Sequence, residues 1–184
     1  GLFTIILLGE TVASALHGLV HAPRLSSDTV VVSASGAAFG FLLWIGYYHH
    51  TRSAEGRKLD IEGDQHAILP WLLAHLPFYL GIAGASAGTI ALASGHHITP
   101  GTVWMHTVAE GLAMAGLTTI GLASPANRFT MRRAALHFSL AALTPLAALL
   151  FPVYNATGVV MAVVGFAALQ LAIGTWPAQP IRSQ

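Results

Sequence analysis

A chain of 184 residues that is 54% hydrophobic and only 8% charged is too poor in charge for a water-soluble domain, where about 25% is usual. A formal net charge of +1 with no long basic run offers nothing to a phosphate backbone, so nucleic acid is excluded as an expected partner. The absence of cysteine excludes disulfides, thiolate metal sites and iron–sulfur clusters.

Apolar stretches cover residues 2–22, 30–48, 68–93, 103–123, 134–151 and 157–176. Each is close to the ~20 residues that cross ~30 Å of hydrocarbon. The pattern predicts an all-α, polytopic transmembrane helix bundle of about six spans, with residues 1–184 forming one unit in the lipid bilayer. The first span lacks a basic flank and carries Glu10, so it does not read as a signal peptide. A start at Gly1 rather than Met predicts a piece of a longer membrane protein. Of the eight Lys and Arg residues, all but Arg24 fall after spans two, four and six: Arg52, Arg57, Lys58, Arg128, Arg132, Arg133 and Arg182. The positive-inside rule then puts both termini in the cytoplasm.

In span one, Glu10, Ser14, His17 and His21 recur at helical spacing and form one polar stripe. Such a stripe is expected to face the bundle interior, because lipid would leave its groups unsatisfied. Span two passes small residues, Gly36 and Gly40 among them, to Trp44, Tyr47 and Tyr48, an interfacial aromatic belt. The His50 to Gln65 loop, with Asp60, Glu62 and Asp64, reads as a solvated charged loop.

Span three places His75, Tyr79 and Ser86 roughly on one face. Pro77 inside it should kink the helix and free a carbonyl one turn earlier. Gly84 and Gly88 follow at a spacing that allows close helix approach. His96 and His97, like His49 and His50, read as interfacial side chains. Span four brings His106 and Glu110 together as i, i+4 neighbours. Span five carries His137 and Thr144 on one face, and span six has Gln170 as its strongly polar core residue.

An acid at bilayer depth costs at least ~2.5–3.5 kcal/mol on insertion scales, so intramembrane carboxylates point to function. From ~1.5 Å of rise per residue, Glu10 lies ~12 Å and Glu110 ~20 Å from the cytoplasmic side. His75 and His137 fall in the inner third, with His17, His21 and His106 in the outer half. Titratable groups at several depths are what a pathway for protons or small cations requires. In that reading Glu10 is the central acceptor, Glu110 and His106 its outer counterpart, His75 an inner relay, and Pro77 an opening of the backbone beside the path.

Glu10, His17, His106 and Glu110 together supply donors suited to zinc, manganese or iron. His75 and His137 at similar depth are the pair a haem would use. Neither spacing is distinctive, and the cofactor stays open. No span contains lysine for a retinal Schiff base, and none repeats arginine as a voltage sensor does. No nucleophile motif of the Gly-x-Ser-x-Gly kind is present, and nothing else favours an enzyme.

The opening Gly1-Leu2-Phe3-Thr4-Ile5-Ile6-Leu7-Leu8-Gly9-Glu10 resembles the signature of the bacterial low temperature requirement A family. His75-Leu76-Pro77 with Leu80-Gly81-Ile82 resembles that family's second recognisable segment. Beyond Ser94 the resemblance rests on the pattern of spans. Members are usually about twice this length, so the resemblance implies the C-terminal half of a larger protein. It carries over Glu10, His75 and Pro77, while His106, Glu110 and His137 rest on physical reasoning alone. The expected function is a proton- or small-ion-linked transporter or channel. The alternatives are a non-transporting structural or cold-adaptation membrane protein and a metal- or haem-binding membrane protein.

Overall fold

The computed structural model describes residues 2–51, 65–95, 98–123 and 130–175. The charged loop after span two, His96 and His97, Arg128 and Arg182 lie outside the described residues. Among the described residues six α-helices follow in chain order: α1 (Leu2–Val20), α2 (Ser27–Thr51), α3 (Gln65–Ala93), α4 (Pro100–Ala123), α5 (Met131–Leu143) and α6 (Phe151–Thr175). A 3-10 segment, Pro145–Leu150, joins the last two, and the described residues contain no strand.

Polar side chains start the helices. Ser26 Oγ accepts from the Thr29 amide ahead of α2, and Thr99 Oγ1 from the Thr102 amide ahead of α4. Thr130 Oγ1 accepts from the Arg133 amide at the start of α5. Each satisfies a backbone donor that the first helical turn leaves without an intrahelical partner. Gly95, at φ 68°, closes α3 in the left-handed conformation that glycine adopts without strain.

Among the described residues five segments are long and apolar enough to cross a membrane: Thr4–His21, Ser27–Thr51, Leu69–Ala93, Met131–Leu150 and Asn155–Thr175. The remaining helix, α4, has 24 residues, or ~36 Å of rise, and so matches them in length. It falls short in apolarity because it carries His106, Glu110, Thr107 and Thr118, which it keeps inside the bundle.

The helices close a ring in the order α1, α3, α4, α5, α6, α2, with α2 and α4 also meeting across its middle. Helix α3 runs through Pro70 and Pro77 and makes its most extensive contact with α4. Glycines make that contact possible. A Cβ on Gly81 or Gly116 would collide with the backbone of Ala113 or Phe78, and one on Gly84 would stand 2.8 Å from the Ala109 Cβ. Gly36 and Gly40 do the same for α2, against Thr89 of α3 and Thr11 of α1. The small-residue spacing thus serves backbone approach, as expected for helices packing in lipid.

Span five is not one helix. Pro145 lacks the amide that would bond to the Ala141 carbonyl, so α5 stops at Leu143 and the chain tightens into 3-10 geometry. The Ala141 oxygen is packed against α4 at Gly111, where a Cβ would come within 2.7 Å of it. A second break lies at Asn155, with φ 58° and ψ −174°. Its Oδ1 accepts from the Thr157 amide at 2.9 Å, and the Thr157 hydroxyl donates to Asp28 at 3.0 Å, tying α6 to the start of α2.

Candidate functional site

The polar residues of the bundle are gathered in four separate places. Helix α4 carries the most enclosed of them. His106 and Glu110 are 1% and 2% exposed, and His106 Nε2 lies 3.4 Å from Glu110 Oε2. The i, i+4 spacing puts the two side chains on one helix face. The ring of His106 sits under Gly88 of α3, whose missing side chain makes room for it. One turn further along, Ala109 and Ala113 meet Gly84 and Gly81, so α3 seals the pair from its side. Among the described residues Glu110 Oε2 meets no hydrogen-bond donor in good geometry, and the His106 imidazole nitrogen stands 3.4 Å from it.

His75 occupies an aromatic box on α3. Its Nδ1 is 2.8 Å from the Trp71 carbonyl and its Nε2 is 3.4 Å from the Tyr47 hydroxyl. The rings of Trp71 and Tyr79 stand 4.3 and 5.5 Å from the imidazole. Tyr79 in turn shares a 3.0 Å hydrogen bond with Thr4 of α1. Both ring nitrogens of His75 therefore have protein neighbours, and the box joins three helices. From His75 to Gly84, the level of the buried pair, α3 rises ~13 Å, so the inner relay and Glu110 are not in contact.

The third place lies where α2 and α6 end. His50 and His137, 9% and 1% exposed, face each other with ring centroids 6.4 Å apart. They line a cavity of about 20 Å³ together with Gly46, Gln170 and Gly174. That is room for one water molecule. Beside it, Gln170 Nε2 donates to the Met114 carbonyl at 3.1 Å and to the Thr118 hydroxyl at 2.9 Å, clamping α6 to α4.

The fourth place is the outside of α1, and here the expectation of an inward polar stripe is corrected. Ser14 is buried, whereas Glu10, His17 and His21 are exposed. Glu10 receives a 3.4 Å hydrogen bond from Ser14, and the His17 and His21 rings stack at 4.0 Å. What turns the helix is its other seam. Thr4, Leu8, Thr11, Ala15 and Gly18 are buried, and of these Thr11 packs into Gly40 and Gly18 onto Ala93. Close contact along small residues decides the rotation of α1, and Glu10 is left on the opposite side.

The four-residue metal grouping of Glu10, His17, His106 and Glu110 is consequently not assembled: two members are outside α1 and two inside the bundle. Among the described residues no three His, Asp or Glu side chains stand close enough to hold a metal ion. His75 and His137 are likewise held in different surroundings, one in the aromatic box and one against His50. His50 itself was expected at the interface. Its burial is legible in hindsight, since Leu43, Tyr47 and His50 share one buried helical face.

With six packed helices, a buried carboxyl on the fourth and the glycine seam between α3 and α4 in view, comparison with known families is decisive. The model of the bacterial low temperature requirement A protein (LtrA) matches residues 1–168. The chain belongs to the LtrA family. No curated protein and no solved structure matches it. Glu10, His50, His75, His106, Glu110 and His137 fall within the matched region, whereas Gln170 and Gly174 lie just beyond it.

Proposed function

We propose that this LtrA-family chain moves protons or a small cation across the bacterial inner membrane, with the His106–Glu110 pair of α4 as its central site. The observation that carries the reading is the burial of Glu110, 2% exposed with His106 Nε2 3.4 Å away. Intramembrane ionisable groups mark ion and proton pathways by default, because their burial is otherwise unfavourable. In this reading Glu110 accepts and releases the proton or cation, and His106 is its neighbour toward the outer side. His75 and the His50–His137 pair are stations nearer the cytoplasm. Glu10 is exposed on α1 among the described residues, and this reading therefore places the central acceptor at Glu110. The orientation with both termini cytoplasmic draws its support from the seven basic residues that follow spans two, four and six.

The test is proton and cation flux into proteoliposomes containing the full-length protein. Glu110→Gln should abolish flux while Glu10→Gln retains most of it. A chain that conducts nothing under any gradient, or equal flux in Glu110→Gln, would remove the reading.

A second reading is favoured by the seat of His106 under Gly88. There the pair fixes the packing of α3 on α4 in a non-transporting membrane protein of structural or cold-adaptation role. It predicts that Glu110→Gln alters stability and leaves no transport to lose.

A further inference from the structure

A groove of about 680 Å³ opens between α5 and α6 at the end of the bundle where α6 finishes. This is within the ~300–1,000 Å³ range of small-molecule sites. Its walls divide sharply by chemistry. Thr130, Arg132 and Arg133 stand at the N-terminus of α5, and Leu136, Leu169 and Ile173 line the rest. Leu136 is one turn beyond Arg132 on the same helix face. Leu136 and Leu169 are 44% and 49% exposed, so the apolar wall is open to the surroundings of the bundle.

The charge at this helix end runs against the usual preference. The N-terminus of a helix is its positive pole and is favourably matched by acidic side chains. The first turn of α5 contains no acid and two arginines. Arg132 and Arg133 thus add positive charge beside the positive pole of α5, a combination that favours an anion. Arginine geometry suits phosphate oxygens in particular. An anion alone would leave the apolar wall of Leu136, Leu169, Ala172 and Ile173 uncovered.

We propose that this groove binds an anionic phospholipid, its phosphate held by Arg132 and Arg133 and one acyl chain lying against Leu136, Leu169 and Ile173. Basic pockets between membrane helices on the cytoplasmic side are suited to such headgroups. The site is distinct from the His106–Glu110 pair and does not depend on how that pair functions.

The test is native mass spectrometry of the full chain equilibrated with phosphatidylglycerol and phosphatidylcholine of identical acyl chains. The chain should retain the anionic lipid over the zwitterionic one by at least ~fivefold, and Arg132→Gln/Arg133→Gln should lose that preference. Arg132→Lys/Arg133→Lys should keep part of it, since charge remains and only the bidentate geometry is lost. If the double Gln variant does not fold, Leu169→Trp carries the test, because it narrows the apolar wall and leaves both arginines. Its retention of phosphatidylglycerol should fall at least ~threefold. Equal retention of both lipids by the unmodified chain, or a preference untouched by either set of substitutions, would overturn the proposal. So would displacement of the lipid by soluble glycerol phosphate, which would make the site one for a free anion.

Discussion

His106 and Gly88 occupy one another's space: a Cβ on Gly88 would stand 2.7 Å from the His106 Cβ and 2.9 Å from its Cγ. The imidazole of α4 is thus seated by the bare backbone of α3, and the position of Glu110, one turn along α4, follows from how closely the two helices approach. Packing and polarity are coupled at this point, so a methyl group on α3 should be felt at the buried pair.

Gly88→Ala is therefore expected to push the ring aside and destabilise the bundle by about 1–3 kcal/mol, as overpacking of a filled interior does. Gly165→Ala is the control, because a Cβ there meets nothing within 4 Å and should change stability by no more than ~0.5 kcal/mol. Denaturant titration in mixed micelles compares them. Equal effects of the two substitutions would mean that the α3–α4 approach is looser than described.

The contact between His106 and Glu110 should appear as a coupling energy. A double-mutant cycle of His106→Asn and Glu110→Gln is expected to give about 0.5–3 kcal/mol, the range for residues in direct contact. The corresponding cycle of His106→Asn with Glu10→Gln should be additive within ~0.5 kcal/mol, because Glu10 lies on the outer face of α1. A large coupling to Glu10 and none to Glu110 would place the polar centre on α1 instead.

The bundle was legible from hydropathy because apolar runs long enough to cross a bilayer leave few alternatives to a helix. The His106–Glu110 contact was legible as well, since i, i+4 proximity is a local property of any helix. Rotation of a helix about its own axis was not. Polarity argued for turning Glu10 and His17 inward, but the seam of Thr11, Ala15 and Gly18 offered closer contact with α2 and α3, and that seam is what the bundle buries. The break in span five had a visible cause in Pro145, yet hydropathy does not register a lost hydrogen bond. Gln170 was visible as a polar residue in an apolar span, while its partners Met114 and Thr118 could come only from the packing of α6 on α4.

Gln170→Leu should measure that clamp. The replacement keeps most of the side-chain volume and removes both donated hydrogen bonds. Hydrogen bonds between membrane helices average ~0.6 kcal/mol and reach ~1.7 kcal/mol, so a loss of about 1–2 kcal/mol is expected in the same micelle titration. Thr118→Val in the Gln170→Leu background should then cost little more, since their shared bond is already gone. Full additivity of the two changes would show that Gln170 and Thr118 do not act together.

The rotation of α1 can be read directly, because the chain contains no cysteine and single introduced thiols report one site each. Nitroxide labels at successive positions from Thr11 to Gly18 should show oxygen collision rates that rise and fall with the helical period in bilayers. Maxima belong at Val12, Ala13, Leu16 and His17, which are exposed, and minima at Thr11, Ser14, Ala15 and Gly18, which are buried. Leu16 and Ala15 give the sharpest contrast, at 58% and 4% exposure. A pattern displaced by half a turn, with Ser14 and Gly18 accessible, would bring Glu10 and His17 back into the bundle and restore α1 as the carrier of the central acid. The predicted phase leaves Glu110 as the carboxyl enclosed by the helices, and it is there that the flux measurement has to find its effect.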